Sequence, residues 1–341
     1  MYADHLKEVV KKAVESNVRL LISGAPGVGK TQIITQVAEE IKYELILEHP
    51  SVSDPTDYKG FPFPDKDGKQ ATFLPFANLA KIITATTPTI VFIDDIGQAP
   101  PSVQAALMQL LDGGKLNGHV VSDQVVFIGA TNRAEDRAAV SGLLEPVKSR
   151  FFSIINLAIS KENIDPWLTW AFANGIDEMV TGFMRWRPAL LHDFKATAAL
   201  TNSPSPRTAE HLSDMVKSGI VDFKTPYAME LITGCSGEGF AIEFMAYAKV
   251  HATLPNPLDI FADPKSVPVP DDPATLYALM GALIGRAKPE NAEAVIQWSA
   301  GVPKEMAFKL VADLAKKTPG MRKNTAYRKW MKENQQYFNV K

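Results

Sequence analysis

The chain has 341 residues, 46% of them apolar and 22% charged, with a formal net charge of −2. That balance fits an ordinary globular protein long enough for two or three compact units, and the charge points to no particular partner. A single cysteine, Cys235, excludes an internal disulfide framework and suits a reducing compartment.

The first sixteen residues, MYADHLKEVVKKAVES, read as an amphipathic helix without the apolar run of a signal peptide. No stretch approaches the ~18 uninterrupted apolar residues of a membrane span. A cytoplasmic protein without a membrane partner is therefore expected. Five β-rich runs follow, at residues 18–24, 43–49, 89–95, 124–132 and 151–158. They are almost continuously apolar, as in a parallel sheet covered on both faces. Helical patterns lie between them at 31–42, 76–85 and 101–112, the last opened by prolines and stopped at Gly113-Gly114. The alternation predicts a layered α/β domain over residues 1–158.

Residues 159–253 read as helices punctuated by Pro and Gly, with Trp167, Trp170, Phe183 and Trp186 as anchors. The proline-rich stretch LPNPLDIFADPKSVPVPDDP opens a third region, 254–341, expected as an extended strap followed by helices. Near the end, KKTPGMRKNTAYRKWMK carries seven Lys or Arg and no acid. Basic residues interleaved with aromatics can grip nucleic acid. The plainer reading is a docking face made by Tyr327, Trp330 and Met331, with the basic side chains solvated. The six histidines show no metal-ligand spacing.

The chemistry concentrates in two places. GAPGVGKT, residues 24–31, fits G-x-x-x-x-G-K-[ST] between a strand and a helix. Its backbone amides (Gly24, Ala25, Pro26, Gly27, Val28 and Gly29 form the loop) turn around a phosphate at the positive end of the helix. Lys30 neutralises the outer phosphates, Thr31 ligates Mg²⁺, and Gln32 follows in the first helical turn. From average composition the pattern arises by chance in roughly 1 in 100 chains of this length, so a mere glycine-rich turn is a poor account of it. The second place is Asp94-Asp95, closing the strand TIVFI. Two adjacent carboxylates repel unless a cation compensates them. Asp94, at the carboxyl end of a parallel strand, is placed to hold Mg²⁺. Asp95 is the candidate for orienting the attacking water. The alternative pairs it with an arginine and makes the protein a nucleotide-gated scaffold with little turnover.

Downstream motifs, in order, resemble AAA+ ATPases. GATNR ends a strand with Asn132, similar to the sensor 1 asparagine. LLEPVKSRF resembles the arginine-finger segment, with Arg150 at the matching position. PSPRTAE resembles the sensor 2 motif, with Arg207 as the sensor. Within AAA+, the insert DPTDYKGFPFPDKDGKQATFLP and the segment IGQAPPSVQAALMQLLDGGKLNG look most like the MoxR-type branch. The resemblance implies a P-loop NTPase with a five-stranded parallel sheet sandwiched by helices, followed by an α-helical lid and a helical C-terminal region. It implies ATP and Mg²⁺ as ligands, hydrolysis involving Asp95, Asn132, Arg150 and Arg207, and a homo-oligomeric ring, most often a hexamer. It further implies a remodelling chaperone acting on a protein target, often with a von Willebrand factor A-like partner. A nucleic-acid-stimulated motor is the rival within AAA+. Most of the branch has glutamate where this chain has Asp95, shortening the reach by ~1.5 Å. Arg133 and Arg137 are secondary interface candidates. Tyr58, Phe61, Phe63 and the hairpin 115–121 are nominated for target contact.

Overall fold

The computed structural model describes residues 1–112, 114–136, 142–160, 163–195 and 200–335. The chain divides into two compact units, Met1–Ile159 with Phe194–Ala196, and Ser160–Asp193 with Thr197–Lys341.

In the first unit the five apolar runs become β1 (Leu20–Ser23), β2 (Glu44–Glu48), β3 (Thr89–Ile93), β4 (Val125–Thr131) and β5 (Ser153–Asn156). They form one parallel sheet in the order β2-β3-β4-β1-β5. Every residue of the central strands β3 and β4 is buried, which is why those two runs show no polar alternation. Helices α1 (Ala3–Glu15) and α2 (Lys30–Ile41) cover one face. Leu6, Val10, Ala13 and Val14, spaced at four, three and one, give α1 its buried stripe against Ile22, Phe92 and Ile128. Helices α3 (Ala77–Thr84) and α4 (Pro101–Leu111) cover the other face, packing Leu79, Ile82, Leu107 and Leu111 against Leu21, Val91 and Phe127. The order of strands reverses at β1, which places the crevice for a ligand at its carboxyl end.

The insert is more structured than a loop-rich reading implies. It holds an antiparallel hairpin, Phe61–Pro64 against Ala71–Leu74, with Phe61 opposite Leu74 and Pro62 opposite Phe73. A second small hairpin, Lys115–Leu116 with His119–Val120, is tied to it. Asn117 Nδ2 donates to Lys59 O at 2.8 Å, and His119 Nε2 lies 2.8 Å from Phe73 O. Phe61, Phe63, Leu74 and Val120 are exposed. Tyr58 corrects the expectation of a contact aromatic, being 1% exposed. Its hydroxyl is satisfied by Glu48 Oε2 at 3.2 Å and Ser53 Oγ at 3.1 Å, so the side chain folds inward.

Among the described residues of the second unit every regular element is a helix. The labelled ones are α5 (Asp165–Ala173), α6 (Glu178–Trp186), α7 (Pro206–Lys217), α8 (Glu238–Ala252), α9 (Pro273–Arg286), α10 (Lys304–Lys317) and α11 (Thr325–Glu333). Phe183 of α6 sits edge-on to Phe240, Phe244 and Tyr247 of α8, with centroids 5.1 to 5.4 Å apart. Gly182 and Gly281 let α6 and α9 cross closely, since a Cβ on Gly281 would stand 2.9 Å from Gly182 Cα. Half-buried Arg185 of α6 joins Asp313 of α10 and Asp165 of α5, the latter at 2.7 Å. The proline-rich stretch contains a short helix, Pro257–Ala262, whose N-cap Asn256 accepts from Leu258 N. On α11, Tyr327, Trp330 and Met331 are half-buried, while Arg328, Lys329 and Lys332 are exposed. Among the described residues no helix is long and apolar enough to cross a membrane.

Candidate functional site

The loop after β1 needs glycine at two points. Gly27 and Gly29 have φ of +75° and +94°, in the left-handed region where a Cβ is strained. Gly24 is tight for another reason, because a Cβ there would approach Leu157 O to 3.1 Å. Gly29 is the N-cap of α2 and makes no side-chain cap, and the first turn of α2 holds no acid. The positive end of the helix is thus left to backbone amides, the arrangement that accepts an anion.

Lys30, the first residue of α2, is 7% exposed. Its Nζ donates to Gly24 O at 2.8 Å, to Ala25 O at 3.2 Å and to Asn132 Oδ1 at 2.7 Å. Asn132 follows β4, and its Nδ2 donates to Asp95 Oδ1 at 3.1 Å. Thr31 Oγ1 donates to Asp94 Oδ2 at 2.5 Å, and Asp94 Oδ1 accepts from Asp95 N at 3.0 Å. The structure therefore gathers Lys30, Thr31, Asp94, Asp95 and Asn132 from the ends of three adjacent strands, β1, β3 and β4. One cation against two carboxylates leaves a net negative charge on the protein side. Asp95 itself has φ +52° and ψ 35°, a left-handed conformation that aspartate and asparagine tolerate better than other side chains.

The group a phosphate loop implies fits these residues. Thr31 and Asp94 offer the hard oxygen donors that Mg²⁺ takes, and the uncapped start of α2 offers amides to phosphate oxygens. Among the described residues no cluster of three or more His, Cys, Asp or Glu side chains could hold a metal by itself.

Comparison with known proteins agrees with this geometry. Residues 20–158 match the family model described as "ATPase family associated with various cellular activities (AAA)". Part of the chain also aligns with curated proteins. The Bos taurus "ATPase family gene 2 protein homolog B" is 32% identical over 128 residues, which is 34% of this chain and 15% of that protein. The Rhodococcus erythropolis "ATP-dependent protease ATP-binding subunit-like protein" is 32% identical over 108 residues, 28% of this chain and 29% of that one. The chain thus spans less than a third of the length of these relatives. Among solved structures, the Thermotoga maritima RuvB Holliday junction branch migration motor covers 74% of this chain and 74% of its own, at 16% identity and a TM-score of 0.41.

The arginines nominated from sequence stand apart from the phosphate loop's bonds. Arg150 is held by Met108 O, 3.1 Å from its Nε, by Asp112 Oδ2, 2.6 Å from its Nη2, and by Pro146 O. Arg133 pairs with Asp136 through Nε at 3.0 Å and Nη2 at 2.8 Å, and with Glu135 at 3.0 Å. Arg137 lies outside the described residues. Arg207 belongs to the second unit, exposed in the first turn of α7, which Ser205 caps by accepting from Thr208 N at 3.2 Å.

Sequence reasoning passed over Glu48, 8% exposed at the end of β2. Its main-chain oxygen accepts from Asp94 N at 2.9 Å. Burial pushes its carboxyl above the usual carboxylate range, and bonds from Asn78 and Tyr58 offset part of that. A glutamate closing an apolar strand run was the available signal.

Proposed function

We propose that the protein hydrolyses ATP at this site and uses the energy to remodel a protein target, in the manner of MoxR-type ATPases. The observation that carries the reading is the buried Lys30 ammonium, bonded to Asn132 at 2.7 Å beside the Thr31–Asp94 pair. The backbone amides at the uncapped start of α2 adjoin it and supply the donors that a phosphate takes.

In this reading the N–H groups from Gly27 to Thr31 and the Lys30 ammonium hold the phosphates, while Thr31 and Asp94 would hold Mg²⁺. The ion, when bound, neutralises charge on the phosphate oxygens. Asp95 orients a water and takes its proton, and the bond from Asn132 Nδ2 fixes the direction of the carboxylate. Arg150 leaves its own-chain partners to serve the nucleotide of a neighbouring copy, which requires a closed ring, most often of six. Asp112 is 59% exposed, so the ion pair lost in that exchange is solvent-screened, and the bonds to Met108 O and Pro146 O go with it. Arg207 is the residue this reading assigns to sensing nucleotide state, and the exposed Phe61 and Phe63 hairpin engages the target. A von Willebrand factor A-like protein is the partner this reading favours.

Equilibrium titration with a labelled ATP analogue tests the foundation. Wild-type protein binds it in the presence of Mg²⁺, and Lys30→Ala weakens binding by at least tenfold, a loss of about 1.4 kcal/mol. Equal affinity for the two proteins removes the site from the reading.

A further inference from the structure

Helix α4 carries an amide where its packing asks for an apolar side chain. Gln104 is 0% exposed among Val103, Ala106, Leu107, Leu110 and Leu111. Burying an amide is unfavourable unless its groups are bonded, and a methionine would fill the same volume without that demand. Here both Nε2 protons are used, donating to Ala99 O and to Gly142 O at 3.0 Å each, and Oε1 accepts from Leu144 N at 2.9 Å.

The three backbone groups lie on two segments that matter to the proposed reaction. Ala99 closes the turn that starts at Asp95, where Gln98 N donates to Asp95 O at 2.9 Å. Leu144 is the N-cap of the single helical turn Glu145–Lys148 that delivers Arg150. Four residues beyond Gln104, Met108 O takes Arg150 Nε, and four further on Asp112 takes its Nη2. Residues 104, 108 and 112 fall on successive turns along one face, at the i, i+4 spacing. Four bonds thus join these residues to one segment, 142–150, and the two made by Gln104 do not depend on where the Arg150 guanidinium points.

We propose that Gln104 is a positioning residue that sets where Arg150 stands for the neighbouring subunit. This rests on the shared-site reading above, in which Arg150 acts in trans. The directional bonds of an amide hold the segment in one register, whereas an apolar residue of equal volume would only fill space. Precision matters because a misplacement of about 1 Å can cost on the order of 10²-fold in rate.

The test separates giving an arginine from receiving one. Asp95→Asn subunits supply only the arginine, and Arg150→Ala subunits supply only the hydrolysing site, so co-expressed mixtures of the two recover turnover. Gln104→Met is then added to one partner or the other. In the arginine-giving subunit it lowers the recovered kcat by about tenfold or more with KM unchanged. In the receiving subunit the loss is several-fold smaller. A change that merely destabilised the domain would depress both mixtures alike. Equal losses, or no loss in the arginine-giving arm, overturn the proposal. Failure of the parent mixture to recover any turnover overturns the shared-site reading itself, and this inference with it. Should Gln104→Met not fold, Leu144→Pro, whose ring suits the φ of −58° there and removes the N–H that Gln104 Oε1 accepts, replaces it in both arms with the same asymmetry expected at about threefold.

Discussion

Asp95→Asn is the substitution that most directly examines the chemistry. The structure says it should leave the fold alone. Residue 95 has φ +52°, and asparagine occupies that region as readily as aspartate. An asparagine Oδ1 can still accept the 3.1 Å bond from Asn132 Nδ2. Stability should therefore stay within about 0.5 kcal/mol of wild type. What disappears is the carboxylate's ability to take a proton, an effect of about 10²- to 10⁴-fold. In barrier terms that is about 2.7 to 5.4 kcal/mol. Single-turnover phosphate release at saturating ATP and high protein concentration reads the change, with a thermal melt and nucleotide titration as controls. Turnover within twofold of wild type, with binding intact, would refute the assignment of Asp95 as the base.

The other expectations concern the helical unit. Arg185→Met leaves Asp313, whose side chain is 2% exposed, with Lys316 at 3.1 Å as its remaining cation, and should cost about 1.5–3 kcal/mol in chemical denaturation. The same network sets a pH dependence. Burial raises the Asp165 carboxyl, but Arg185 and Lys316 outweigh it and hold the group below the ordinary carboxylate range. A depressed acid stabilises the fold above about pH 4 and loses that contribution as pH falls through its folded value, so acid should weaken wild type more steeply than Arg185→Met. Gly281→Ala forces a Cβ to 2.9 Å from Gly182 Cα, backbone against backbone, and should destabilise by about 1–3 kcal/mol. Gly234→Ala, exposed in its helix with nothing within 4 Å, should instead stabilise by about 0.5–1 kcal/mol. Paired thermal melts check both signs, and like signs would show the crossing to be looser than described.

The sheet was legible because its signal is local. Runs such as TIVFI are apolar at every position since β3 is covered on both faces, and the phosphate loop announces itself through glycines that positive φ requires. Long-range pairings were not legible. Arg150 finds Asp112 across 38 residues, and Gln104 bonds Leu144 across 40. No spacing rule foretells either, and a glutamine inside a helical pattern looks like any polar surface residue. Tyr58 misled for a related reason. An aromatic in a loop-rich stretch suggests exposure, yet Glu48 and Ser53 supply partners for its hydroxyl inside the domain.

The FPFP strand has a consequence for solubility. Phe73 O points outward to His119, which marks Pro62 opposite Phe73 as a pair without mutual hydrogen bonds. The nitrogens of Pro62 and Pro64 therefore line the strand's open rim, and neither carries a proton. A strand from another molecule would find no donors there to zip onto. The hairpin thus displays bare phenylalanines while blunting this rim against strand addition.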